Sequence, residues 1–297
     1  MAEPRAAGAI YDLGYQRYAG RKLGRANAIW QLVVYSFKAA FGVGRGPRAR
    51  LAPTIVSVII FVPAIGQVAV ASLTGQAALI SYSGYLEFTT FLIALFTAAQ
   101  APELVVPDRQ NGVLTLYLSR PLRGTDYALA KLGGIVLAML VLTLTPQLFL
   151  FVAKVFISDS PWTAFTAEYG KLLPILGGTL GVSVYTGSIG LGISCLASRR
   201  AYANAGVIAY FLLVPAATTI FHNFATGDVK RYSVLAHWGW LITGFSNWLF
   251  DIQAKGAQLR SVVARAELPG TAYLWTVLAI SACFTTVLIL RYRRSET

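Results

Sequence analysis

A stretch of charged, polar and backbone-bending residues, LVVPDRQNGVLTLYLSRPLRGTDYALAK, separates two long apolar segments at residues 104–131. Its carboxylates and guanidinium groups can pair with one another or with the charged groups of a partner. Within it, VLTLYLS at 113–119 has the pattern of a short helix with an apolar face, which Pro121 stops. Thr125 or Asp126 can cap the apolar helix that follows. A short amphipathic helix can lie on lipid or insert its apolar side chains into a groove of a partner, and the sequence leaves both interpretations open.

The sequence lacks the common motifs of nucleotide binding and hydrolysis. It contains no Walker A pattern, so we expect any ATP to be bound by another subunit. GSIGLG at 187–192 has the wrong spacing for a dinucleotide fingerprint and lies within an apolar segment. The patterns H-E-x-x-H and G-x-S-x-G and paired cysteine motifs are also absent. The sequence therefore predicts no catalytic residue, no metal site and no cofactor in this chain.

Three further groups, Glu87, His222 and His237, can do acid–base chemistry only if the fold gathers them. The two histidines are the only ones in the chain. Gathered at a membrane face, the three groups would suit an enzyme that modifies lipids. Nothing in their spacing shows that they converge, so solvated positions at helix ends are the simpler interpretation.

The composition is typical of a membrane protein. Of the 297 residues, 56% are hydrophobic and 12% are charged, and the mean hydropathy is +0.60. A net charge of +13 suggests a nucleic-acid partner when a protein is soluble. Here the aromatic residues lie within apolar segments instead of between basic residues. Basic loops beside anionic lipid therefore explain the charge, and we expect no nucleic-acid partner.

Six segments are long and apolar enough to be membrane-spanning helices, since a crossing of about 30 Å needs roughly 20 residues. They are 52–73, 84–106, 126–156, 171–197, 201–223 and 271–291. The predicted fold is an all-α integral membrane protein. Cys195 and Cys283 fall in two different segments, and we expect two buried free thiols instead of a disulfide.

The fourth segment contains three pairs of small residues spaced four positions apart. The pairs are Gly177 and Gly181, Ser183 and Gly187, and Gly190 and Ser194. This spacing favours close packing against neighbouring helices. A surface that slides during a conformational cycle is the functional alternative.

Basic residues are distributed unequally between the two sides of the predicted membrane. The N-terminal side holds Arg5, Arg17, Arg21, Lys22, Arg25, Lys38, Arg45, Arg48, Arg50, Arg109, Arg120, Arg123, Lys131, Arg199, Arg200, Arg291, Arg293 and Arg294. The opposite side holds Lys154, Lys171, Lys230, Arg231, Lys255, Arg260 and Arg265. Because positively charged loops stay in the cytosol, both termini are predicted to be cytosolic.

Two shorter apolar segments complete the predicted topology. Residues 27–43 form an amphipathic pattern that favours a helix in the cytosolic interface. Its apolar face holds Trp30, Val33, Val34, Phe37 and Phe41. Residues 233–250 are nearly long enough to span, but a seventh crossing would move the basic C-terminus to the other side. We therefore expect a re-entrant or interfacial helical segment, with Trp238, Trp240 and Trp248 at headgroup level.

Together these features resemble the membrane subunit of ABC-2 type transporters, which are mostly bacterial exporters. The similarity covers a basic N-terminal tail at 1–26, an interfacial elbow helix with its linker at 27–51, and a six-helix domain at 52–297 with a loop at 104–125. The loop is similar to that family's pattern of acidic residue, charged residue, glycine, leucine-rich helix, Ser-Arg-Pro and lysine. The matching residues are Glu103, Asp108, Arg109, Gly112, Leu114, Tyr117, Leu118, Ser119, Arg120, Pro121 and Lys131.

The resemblance implies that this loop contains a coupling helix seated in a groove of a separate ATPase subunit. It implies an assembly in the bacterial cytoplasmic membrane of two permeases and two ATPases, the second permease being a copy or a paralogue. ATP and Mg would be bound by the ATPases. The transport path would lie between the permeases along spans two and five, capped by the outer segment 224–269. Sparse charge in that segment argues against a large extracellular adaptor.

The resemblance favours a permease that exports an amphipathic or lipidic compound, a substrate class that the Tyr- and Phe-rich spans also suit. Two alternatives belong to other classes. One is the lipid-modifying enzyme described above. The other is a self-contained secondary transporter, which needs inverted repeats and charged residues near the middle of the membrane, and neither is apparent.

Overall fold

The structure, a computed structural model, describes residues 24–44, 46–79, 81–113, 122–252 and 261–293. Across these ranges all regular secondary structure is helical. The α-helices are α1 (Arg25–Ala40), α2 (Pro47–Thr74), α3 (Tyr82–Gln110), α4 (Gly124–Ile157), α5 (Pro161–Glu168), α6 (Leu172–Ser194), α7 (Arg200–Phe224), α8 (Gly227–Ser233), α9 (Trp238–Leu249), α10 (Val262–Ala266) and α11 (Gly270–Arg293).

Six helical stretches in the described ranges have the length and composition to cross a membrane, and they correspond to the six predicted segments. Five are single helices, namely α2, α3, α4, α7 and α11. The other runs from Pro161 to Ser194 and comprises α5, a short 3₁₀ turn and α6. Helix α4 has 34 residues, which at about 1.5 Å per residue makes it longer than the hydrocarbon is thick. The prediction of a multi-pass helical membrane protein is therefore confirmed.

Helices α3, α4 and α6 form the centre of the bundle, and α2, α7 and α11 lie around them. In α3, 78% of the most apolar stretch is buried, against 11% in α7. The outer helices nevertheless remain apolar on their exposed faces. Lipid tails are as apolar as leucine, so burying such faces inside the protein would bring no gain from the hydrophobic effect.

The small residues of α6 permit close contact with its neighbours. A Cβ atom on Gly190 would lie 2.2 Å from Cγ2 of Thr97 in α3, and one on Gly181 would lie 2.6 Å from the Phe245 ring in α9. Neither distance is compatible with an added methyl group. These positions are therefore packing positions, as the sequence predicted.

Helix α1 lies against α4 and α3, and the face it presents matches the predicted apolar face only in part. Its buried residues include Leu32, Ser36 and Ala39, whereas Trp30 is 58% exposed. Close backbone approach explains the difference: a Cβ atom on Gly134 of α4 would lie 2.3 Å from Cβ of Ser36 and 3.0 Å from the backbone of α1. Only a small residue fits at the closest point of this crossing, which Ser36 occupies, while Val33, Phe37 and Phe41 pack against the core and stay partly buried.

The segment predicted to be re-entrant or interfacial forms the short helices α8 and α9. Helix α9 has 12 residues, about 18 Å of rise, so it is too short to cross the membrane. It packs against α3 and α11. The headgroup position expected for Trp238 is wrong: this side chain is buried and its indole N–H donates to the carbonyl of Phe211 at 2.9 Å. A buried indole needs an acceptor, and the carbonyl of Phe211, midway along α7, supplies one.

The expectation of two buried thiols is correct for Cys195 and wrong for Cys283, which is exposed on α11. Since α11 belongs to the outer layer of the bundle, an apolar residue there need not face the protein interior.

We predict that Gly134→Ala lowers the free energy of unfolding by about 1–3 kcal/mol, because the added methyl group forces α1 away from α4. The neighbouring Gly133→Ala is the matched control, since its Cβ atom would meet Val33 only at an ordinary 3.6 Å. Thermal unfolding in mild detergent, followed by tryptophan fluorescence, measures both. Equal midpoints for the two variants would contradict the close contact.

Candidate functional site

The last turn of α3 and the first turns of α4 meet at one end of the bundle and carry most of its described charged contacts. Helix α3 continues through Pro107 to Gln110 and ends in a turn in which Gly112 has φ of +66°. That conformation favours glycine. Helix α4 begins where the carboxylate of Asp126 accepts a hydrogen bond from the backbone N–H of Arg123 at 3.0 Å, which satisfies one of the free donors of the helix start.

Asp108 and Lys131 form a buried ion pair between these two helices. Nζ of Lys131 lies 2.7 Å from Oδ2 of Asp108, and the side chains are 1% and 14% exposed, respectively. The hydroxyl of Tyr127 donates to the same Oδ2 at 2.8 Å. The ammonium group also lies 5.5 Å from the ring of Tyr35 in α1 and 5.3 Å from the ring of Tyr127. Such neighbours compensate a charge that has lost its water.

The next two residues of α3 hold the turn between α6 and α7. One guanidinium nitrogen of Arg109 donates to the carbonyls of Cys195 at 2.7 Å and Ala197 at 3.1 Å. Gln110 donates to the carbonyl of Ser198 at 3.2 Å. The carbonyls after a helix end lack partners within that helix, and a nearby arginine supplies them. The end of α3 therefore fixes the α6–α7 turn.

Helix α1 is attached to the start of α4 by a two-pronged ion pair. The guanidinium of Arg25 donates from Nε at 2.8 Å and from a terminal nitrogen at 2.7 Å to the two carboxylate oxygens of Asp126. The hydrogen bond to this carboxylate raises the pKa of Arg25. Because Arg25 is partly exposed, the pair orients α1 more than it stabilises the fold.

A cavity of about 410 Å³ opens beside the ion pair, where α1, α3, α4 and α7 meet. Its walls include Asp108, Lys131, Asn111 and a second, more exposed ion pair between Glu103 and Arg200 at 3.3 Å. Both signs of charge line this cavity, so it suits the polar groups of a partner better than an apolar ligand.

The structure brings together four residues of the predicted coupling pattern: Glu103, Asp108, Arg109 and Lys131. Gly112 lies at the turn that ends α3. The remaining predicted residues, Leu114, Tyr117, Leu118, Ser119, Arg120 and Pro121, lie outside the described residues.

Several contacting residues were missed as site residues. Arg25 and Arg200 were interpreted only as part of the positive charge on one side of the membrane. Tyr35 carried no signal of its own. The hydroxyl of Tyr127 and the carboxylate of Asp126 follow the loop directly, and their polarity at the start of an apolar segment was the available sign.

The acid–base groups considered in the sequence do not share one cavity. Glu87 lines a cavity of about 370 Å³ with Thr243 and Asn247, whereas His222 lines a separate one and its Nδ1 lies 2.7 Å from the hydroxyl of Ser233. His237 lines neither; its ring stacks on that of Trp240 with centroids 4.1 Å apart, and its Nδ1 accepts from the backbone N–H of Trp240 at 3.2 Å. Across the described ranges, no three His, Cys, Asp or Glu residues are placed to hold a metal ion.

No model of a known protein family and no characterised protein matches this chain.

We predict that Lys131→Met lowers the free energy of unfolding by about 3 kcal/mol or more, because it leaves the buried carboxylate of Asp108 without its countercharge. Combined with Asp108→Asn, it should give a double-mutant coupling energy of about 1–3 kcal/mol. Reversible unfolding in mixed micelles measures each variant.

The control cycle pairs Glu103→Gln with Arg200→Gln, whose ion pair is more exposed and should couple by less than about 1 kcal/mol. Equal coupling energies in the two cycles would refute a special role for the buried pair.

Proposed function

We propose that this chain is the membrane-spanning permease subunit of an ATP-driven transporter of the ABC-2 type. In this proposal α1 is the interfacial elbow helix, and the loop at 104–125 contains the coupling helix that docks on a separate ATPase subunit. The observation that carries the proposal is the set of side-chain contacts by which the α3–α4 junction holds α1, the α6–α7 turn and α7.

These contacts give the junction the mechanical properties of a coupling element. Asp108 and Arg109 are neighbours in the last turns of α3, yet one holds α4 and the other holds the α6–α7 turn. The ring of Tyr127 also lies 4.8 Å from that of Tyr292 in α11. A displacement of the loop is therefore passed to helices on several sides of the bundle, as an ATP-driven switch requires.

The charges of the described residues support a cytosolic position for this junction. Basic residues at its end of the bundle include Arg25, Lys38, Arg50, Arg109, Arg123, Lys131, Arg199, Arg200, Arg291 and Arg293. Those at the opposite end include Lys154, Lys171, Lys230, Arg231 and Arg265. The excess of basic residues at the junction end favours a position of the junction, and of both termini, on the cytosolic side of a bacterial cytoplasmic membrane.

The exposed apolar helices provide a surface for a second permease and for an amphipathic or lipidic substrate. On α7 the exposed large apolar side chains include Ile208, Leu212, Leu213, Ile220, Phe221 and Phe224. A path between two permeases would be lined by faces of this kind. We propose a complex of two permeases and two ATPases, in which the ATPases bind ATP and Mg and this chain carries no catalysis.

The alternative functions receive less support from the geometry. The lipid-modifying enzyme needs Glu87 and the two histidines to act on one substrate, and they line different surfaces. The secondary transporter needs charged groups near mid-membrane, whereas Asp108 and Lys131 lie at the end of the bundle.

We expect the tagged chain, purified in mild detergent from its own host, to retain a P-loop ATPase in near-equal amount. Leu118→Asp should reduce the retained ATPase at least tenfold, because a charge on the apolar face of the coupling helix cannot enter a groove. Tyr117→Ala should weaken retention and uncouple ATP hydrolysis from transport. Mass spectrometry and ATPase assays in reconstituted vesicles measure these effects.

The matched control is Tyr232→Ala, which removes an exposed tyrosine at the opposite end of the bundle and should retain the ATPase. Recovery of no ATPase with the unmodified chain in several detergents would refute the proposal. Unchanged ATPase retention and transport in both loop variants would refute only the coupling role of the loop.

A further inference from the structure

A basic cavity of about 240 Å³ lies at the end of the bundle opposite the Asp108–Lys131 pair, between α8 and α10. Its walls contain Lys230, Arg231, Arg265, His222 and Glu267. Three cationic side chains thus face one carboxylate. No described Asp or Glu lies within ion-pair distance of Lys230, Arg231 or Arg265. The cavity therefore holds uncompensated positive charge, which favours an anion.

Arg231 is held in place as part of the wall. Its Nε donates to the carbonyl of Ala266 at 2.8 Å, and a terminal nitrogen donates to the carbonyl of Glu267 at 2.6 Å. These bonds connect α8 to α10 and fix the guanidinium without neutralising it, because both acceptors are uncharged carbonyls. Lys230 and Arg265 are exposed, so their charged groups can move toward a ligand.

The cavity lies at the level where two membrane-spanning helices end. Helix α7 ends at Phe224 and α11 begins at Gly270, and the cavity-lining segments run between them. Around the cavity, Phe224 is 83% exposed, Val229 58% and Tyr232 56%. Exposed apolar and aromatic side chains beside cationic ones are characteristic of the boundary between lipid tails and headgroups.

We propose that this cavity binds the phosphate of an anionic phospholipid headgroup. Arginine and lysine are the usual partners of phosphate, to which they donate charge-assisted hydrogen bonds. A volume of about 240 Å³ is smaller than pockets for whole drug-sized ligands, which begin near about 300 Å³. It therefore accommodates a headgroup while the acyl chains stay in the bilayer beside α7. This binding needs no ATPase partner and does not depend on the proposed transport function.

The test is native mass spectrometry of the full chain, delipidated and titrated with phosphatidylglycerol. We expect Lys230→Gln and Arg265→Gln each to weaken binding about fivefold, the effect of one charge near a membrane surface. Lys171→Gln removes a charge at the same end but outside the cavity and should leave binding unchanged. Diacylglycerol with the same acyl chains lacks the phosphate. It should bind the unmodified protein weakly, and no more tightly than it binds the two cavity variants.

Two outcomes would overturn the assignment. Equal phosphatidylglycerol binding by the two cavity variants and the Lys171→Gln control would show that the cavity holds no headgroup. Displacement of the lipid by inorganic phosphate at a comparable concentration, sensitive to the same two substitutions, would assign the cavity to free phosphate instead. Circular dichroism confirms that each variant is folded, and Arg231 is left intact because it holds α8 to α10.

Discussion

The buried ion pair between Asp108 and Lys131 is the constraint on which the arrangement of the bundle depends. Two charges removed from water are tolerated only at short range and with further partners, so the pair permits one register of α3 against α4. Tyr35 of α1 and Tyr127 of α4 complete its surroundings. One turn of α3 thereby fixes how far α1, α3 and α4 are shifted along their axes relative to one another. The adjacent Arg109 also fixes the position of the α6–α7 turn.

The spans could be predicted because hydropathy depends on local composition alone. Their ends could not, since helix ends depend on distant partners. The second span was predicted to stop at residue 106, but α3 continues to Gln110. Its last turn is polar and would be solvated in isolation. Here Asp108, Arg109 and Gln110 each find an acceptor or donor on another helix or turn, and these bonds extend the helix.

The site could be predicted only as a region, because its contacts join residues that are far apart in sequence. Asp108, Arg109 and Lys131 were in the predicted pattern, yet which group each one binds depends on helix packing. Arg25 lies 101 positions from its partner Asp126, and in sequence it was one basic residue among many. The predictions for Trp238 and Cys283 failed for a similar reason. Each side chain can lie in the protein interior or on the outside of the bundle, and the position of its helix decides which.

The contact between α1 and α4 has a consequence for biosynthesis. Chains are made from the N-terminus, so α1 leaves the ribosome before the part of α4 that holds it. During this interval neither Asp126 nor Gly134 has been synthesised, so α1 has no α4 to pack against. Once α4 is in place, the Arg25–Asp126 ion pair closes a ring of about a hundred residues that contains α2 and α3.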